Sequence, residues 1–181
     1  MKKLIAVLAL AASTTAGATG WASIDVDAVS GREGARDSTA QYLRIGKSFG
    51  DVNLMVQGRT ARFDGGGLVN SVETTVSTRK VSLGPVTPFV GFGYDNGYNG
   101  GNNFNYGLVG ATVGGKVGPG FAMAGVKTRV GSTQDHMTHQ TVTFASYNMP
   151  VTKHLGVNFN VSRSTQDIKE NAVGMGVSVR F

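Results

Sequence analysis

Asp135, His136 and His139 stand close together, and a carboxylate beside imidazoles can serve acid/base catalysis or metal ligation. They fall within one polar stretch and no ligand from elsewhere joins them, so no catalytic, metal or cofactor-binding residues are expected. Gly110 to Lys116 reads G-x-x-x-x-G-K. A phosphate-binding loop would need Ser or Thr next, to reach magnesium, and a helix after it. Val117 stands there, within a stretch of strand-like composition. A lipid A deacylase would need His and Ser together on one strand, whereas His154 lies in a short turn-like segment. The residues thus indicate a protein without enzymatic activity or cofactor.

The remaining charges are ordered differently. Asp25, Asp27, Arg44, Arg59, Glu73, Arg79, Lys127, Arg129 and Arg180 recur singly, each on the polar side of a short alternating segment. The whole chain carries 17 Lys and Arg against 11 Asp and Glu, but Lys2 and Lys3 belong to a leader expected to be removed. Basic residues spread one at a time do not make the concentrated patch that nucleic acid requires. No nucleic-acid partner is expected.

The alternation behind these charges runs from Trp21 to Phe181. Ala22, Ile24, Val26 and Ala28 oppose Ser23, Asp25 and Asp27, and Val173, Met175, Val177 and Val179 oppose Gly174, Gly176, Ser178 and Arg180. Period two is the mark of a strand with two unlike faces. The 27 glycines, 4 prolines and absence of cysteine fit an all-β chain without disulfides. The pattern predicts ten strands, with eight as the alternative if the less clear stretches Phe104–Val117 and Gln140–Met149 merge with neighbours. Long polar connections are expected at Ser30–Ser38, Ala61–Asn70, Asp95–Asn103, Gly131–His139 and Ser164–Glu170. Short ones are expected at Phe49–Asp51, Gly84-Pro85, Gly118–Gly120 and Pro150–His154. The five long connections would be external and available for binding, with Phe63 and Tyr98 as candidate contacts.

The first residues form an address. Met1-Lys2-Lys3, the apolar run Leu4–Ala12 and the small residues Ala16-Gly17-Ala18 make a secretory signal peptide over 1–18, with cleavage after Ala22 as the alternative. The apolar run is about half the roughly 20 residues that a spanning helix needs. The mature chain, 19–181, is then expected to be a closed antiparallel transmembrane β-barrel. Even strand number, strands of about ten residues and alternating connection lengths are outer-membrane features, and lipid offers no partner to an open sheet edge. The apolar faces would meet lipid and the charged faces a lumen.

Gly174 to Phe181 resembles the C-terminal assembly signal of outer-membrane barrels, with a glycine, alternating apolar residues and a terminal aromatic. The resemblance implies that Gly176, Val179 and Phe181 are read by the barrel-assembly machinery. Gly174 departs from it, standing where a polar residue is usual. With the leader, the chain resembles small outer-membrane barrels of the adhesion, invasion and opacity type, which commonly have eight strands. That resemblance implies an outer-membrane location reached through the periplasm, with lipid and lipopolysaccharide as neighbours and a structural or surface-interaction role toward an external ligand that the sequence does not identify. A small, weakly anion-preferring pore is one alternative, and a rim-located protease, using Asp135 and His136, is another. The inward charges predict a largely filled lumen, with Arg44 meeting Asp25 or Asp27 and Arg59 meeting Glu73 across a hairpin. Arg79, Lys127, Arg129 and Arg180 have no evident partner in the sequence.

Overall fold

A strand with one apolar and one charged face is stable in a bilayer only if the two faces meet different media and every backbone group is paired. The chain meets both conditions by closing on itself. The structure is a computed structural model, and it describes residues 19–97, 103–132, 137–166 and 169–181. The expected leader 1–18, Tyr98, Asp135 and His136 lie outside the described residues.

Ten strands follow in order: β1 (Gly20–Gly31), β2 (Ser38–Phe49), β3 (Val52–Phe63), β4 (Leu68–Thr78), β5 (Val86–Asp95), β6 (Phe104–Val117), β7 (Gly120–Ser132), β8 (Met137–Pro150), β9 (Leu155–Gln166) and β10 (Glu170–Arg180). Each pairs antiparallel with its neighbours in sequence, and β1 pairs with β10, so the sheet is a closed barrel. The seam runs from Trp21 opposite Arg180 to Gly31 opposite Glu170. At its end Gly20 N donates to Phe181 O at 2.8 Å and Phe181 N to Gly20 O at 3.0 Å. The architecture is the expected ten-stranded one, not the eight-stranded alternative.

Side chains divide between outside and lumen by the strand period. Val90, Phe92, Val109, Val173, Met175 and Val177 are more than half exposed on the outer face. A water-soluble fold would not leave so continuous an apolar band open. Val29, Ala40, Ala61 and Ala172 form a small apolar patch inside, against Tyr42 and Phe63.

The connections differ from the expected pattern. At the end away from the termini the strands continue well into segments read as loops: β1 includes Ser30 and Gly31, β3 runs through Phe63, and β4 starts at Leu68. Phe63 is therefore part of the inner wall. Beyond an apolar band both faces of a strand can be wet, so the alternation that marks a strand in the sequence vanishes while the hydrogen-bonded ladder continues. At the terminus end, the connection after β4 is longer than the expected Gly84-Pro85 and begins with a 3-10 turn, Arg79–Val81. Strict alternation of long and short connections does not hold.

Candidate functional site: the lumen

The lumen is built from the inward residues of every strand. A belt of hydrogen bonds crosses it near mid-height. On β1, Asp25 is fully buried and has four partners. Arg44 of β2 approaches to 2.5 Å, Ser23 Oγ donates at 2.7 Å, and the amides of Asn158 and Asn160 on β9 donate at 3.0 and 3.2 Å. Arg44 Nε donates to Gln57 Oε1 at 2.8 Å, and its guanidinium lies 4.5 Å from the centre of the Tyr42 ring. Gln57 in turn donates to Glu73 on β4 at 3.3 Å.

Glu73 is the second buried carboxylate of the belt. Lys127 Nζ lies 2.6 Å away, Arg129 forms a further ion pair with it, and Tyr106 OH donates at 3.0 Å. Arg129 also donates to Gln140 of β8 at 2.5 Å. The reach from β4 to β7 passes over β5 and β6, where register places Gly93 opposite both Glu73 and Tyr106. Two cations flanking one carboxylate leave an excess positive charge on this side.

Two expectations about the charges need correction. Arg59 does not pair with Glu73: Ser71 is its register neighbour and Gln57 is that of Glu73, so the two lie diagonally. Arg59 instead points toward Glu170 of β10, 3.9 Å away, while β7 supplies the partners of Glu73. Arg79 is not a lumen residue, because β4 ends at Thr78 and Arg79 stands exposed in the 3-10 turn. Arg180 donates to Asn148 at 2.8 Å at the terminus end. Oδ1 of Asp27 is buried without a hydrogen-bond partner.

The three residues expected to form an assembly signal occupy defined positions. Val179 faces outward opposite Ala22, and Phe181 ends the seam. Gly176 faces Asp25 and Gly174 faces Asp27. A Cβ on either glycine would collide with that aspartate and with the β1 backbone. Gly174, where a polar residue is usual, thus makes room for a polar residue of the neighbouring strand.

The belt does not fill the barrel. A single cavity of about 900 Å³ is lined from Trp21, Phe121 and Arg180 at the terminus end to Arg36, Phe63 and Glu170 at the other. This corrects the expectation of a largely filled lumen, because the ion pairs run along and between walls and leave space beside them. The sequence reading also passed over Gln57, Tyr106, Asn158 and Asn160. The asparagines were detectable as polar residues alternating with Val157, Phe159 and Val161, but polarity does not reveal which carboxylate they serve. His139 lies in β8, paired with Val130. Gly110–Lys116 lies within β6, with no helix after it, which excludes the phosphate-loop geometry. Among the described residues there is no cluster of three His, Cys, Asp or Glu side chains able to hold a metal.

A closed ring of ten antiparallel strands, apolar outside and charged within, has the architecture of a bacterial outer-membrane β-barrel. Solved barrels of this kind are similar in fold. Neisserial surface protein A (NspA) is 12% identical, with 92% of this chain and 98% of that one covered, at a TM-score of 0.46. The translocator domain of the autotransporter NalP from Neisseria meningitidis is 14% identical over 99% and 94%, at 0.49. Ail of Yersinia pestis is 15% identical over 90% and 99%, at 0.43. No family model and no curated protein matches the chain.

Proposed function

We propose that the mature chain, from Thr19 onward, is a small outer-membrane channel whose lumen passes small solutes with a weak preference for anions. The observation that carries the reading is the cavity of about 900 Å³ lined from one end of the barrel to the other. Arg36, Arg44, Arg59, Lys127, Arg129 and Arg180 line it, against Asp27, Asp95 and Glu170. Asp25 and Glu73, behind that surface, offset part of the excess. Charged rings of this kind set ion preference in pores.

Surface interaction, the first reading of the sequence, loses support because strands occupy much of the expected loops. The protease alternative depends on Asp135 and His136, outside the described residues. Export by the leader 1–18, cleavage after Ala18 and recognition of Gly176, Val179 and Phe181 by the assembly machinery complete the proposal. On this reading the end of the barrel that carries the termini faces the periplasm, and the chain lies among outer-membrane lipid and lipopolysaccharide.

Planar-bilayer recording on heat-modifiable, folded protein tests the channel. Small discrete steps with a reversal potential favouring chloride over potassium are expected. Folded, inserted protein with no conductance above that of the lipid would overturn it.

A further inference from the structure

Buried polar side-chain atoms without partners are rare, because each forfeits its hydration with nothing in return. In this barrel most of them lie in one region, only that of Arg129 belonging to the belt. Five are found among the described residues: Asp27 Oδ1, Arg32 Nε, Ser38 Oγ, Arg59 Nε and Arg129 Nε. Asp27, Ser38 and Arg59 share the inner wall formed by β1, β2 and β3, and Arg32 directly follows β1. The mid-height belt, a few residues toward the termini, is richly bonded.

The surroundings are apolar and small. Asp27 is opposite Ala40, which is opposite Ala61. Both alanines are wholly buried in the patch with Val29, Ala172, Tyr42 and Phe63. Arg59 lies two residues from Ala61 on the same face, and the Glu170 carboxylate at 3.9 Å is beyond hydrogen-bond reach. Ala35 and Arg36, from the connection after β1, also line the cavity. That connection is held across the mouth by Arg32, which donates to the Ser164 carbonyl of β9 at 2.7 Å. The result is a covered apolar recess carrying a carboxylate whose Oδ1 lacks a hydrogen-bond partner and a guanidinium whose Nε lacks one and whose ion pair with Glu170 is long.

A simple anion would satisfy Arg59 but face Asp27, Asp95 and Glu170. A simple cation would satisfy Asp27 but face Arg59. A molecule with both charges and an aliphatic body suits all three features. We propose that the far half of the lumen is a binding subsite for an aliphatic amino-acid zwitterion, its carboxylate on Arg59, its ammonium on Asp27 and its side chain against Val29, Ala40 and Ala61. This deepens the channel reading by naming a solute class that the lumen selects.

The test is isothermal titration of the folded mature chain in detergent micelles with three isosteric probes: valine, 3-methylbutanoate, which lacks the ammonium, and isobutylamine, which lacks the carboxylate. Valine is expected to bind at least about tenfold more tightly than either, a difference of roughly 1.4 kcal/mol. Arg59→Gln and Asp27→Asn should each weaken valine about tenfold, and Lys80→Gln, on the exposed turn, should not. Equal affinity for valine and 3-methylbutanoate, or valine binding indifferent to both lumen variants, would overturn the site. The probe series on the unaltered chain decides the matter even if a variant does not fold. Conductance without valine binding refutes the subsite alone, whereas valine binding without conductance refutes the channel and leaves the subsite standing.

Discussion

Asp25 and Asp27 stand two residues apart on the same face of β1, each opposite a glycine of β10, and both are buried. The side chain of Asp25 has four hydrogen-bonding partners, whereas Oδ1 of Asp27 has none. The strand cannot explain the difference, since it treats both alike. The neighbours do: Arg44, Asn158 and Asn160 all turn to Asp25, although Asn160 is level with Asp27 across β10, and on its β2 side Asp27 faces Ala40 and, beyond it, Ala61. A buried carboxylate surrounded by donors stabilises the barrel, whereas one with an oxygen left unpartnered costs it stability. The lumen is accordingly two regions, a belt that holds the walls together and a recess left chemically incomplete.

The comparison can be broken or sharpened by substitution. The largest effect is expected at Glu73, where alanine leaves Lys127 and Arg129 facing each other without a counter-charge. A loss near the upper end of about 3 to 5 kcal/mol is expected in denaturant unfolding of the micelle-folded protein. Asp25→Ala should cost about 3 kcal/mol, because it strands Arg44 and two amides. Pairing Asp25→Asn with Arg44→Gln should recover part of that loss, since two neutral polar groups need less compensation than one isolated charge. Should the double variant prove as unstable as Asp25→Ala, the belt would owe its strength to packing rather than charge.

Asp27→Asn should change stability by less than about 1 kcal/mol, and toward greater stability, because it removes the charge of a carboxylate whose Oδ1 has no hydrogen-bonding partner. A loss equal to that at Asp25 would erase the distinction between the two levels. The smallest effect is expected at the mouth, where Lys169 pairs with Glu33 and holds its carboxyl below the usual range. A lowered folded-state value means that the contribution is present above the unfolded pKa and fades as pH falls through the folded one. Acidification from pH 7 to about 5 should therefore leave the rate of proteolysis of this connection unchanged.

The ten strands were legible in the sequence because lipid on one side and water on the other impose period two on every residue within the bilayer. Outside it the constraint lapses, which is why Ser30, Phe63 and Leu68 read as loop yet form strand. The inward charges were legible as a set but not as pairs. Pairing depends on register and on reach: Arg59 misses Glu73 by one step of the ladder, and Lys127 reaches it across two intervening strands. Neither distance is written in local sequence. Gly174 looked like a defect in a terminal motif, and its meaning lay in Asp27, which is distant along the chain and adjacent across the seam.

That seam also bears on the time course of folding. Nine of the ten strand pairings join neighbours along the chain and can form as successive hairpins, each closing a short loop. The pairing of β1 with β10 brings together segments from opposite ends, and the entropic cost of closure grows with the length enclosed. Closure is therefore expected last, and until Gly20 and Phe181 exchange their two backbone hydrogen bonds the sheet has two free edges. Each can accept a strand from another copy. The interval before closure is thus when this barrel is most exposed to aggregation.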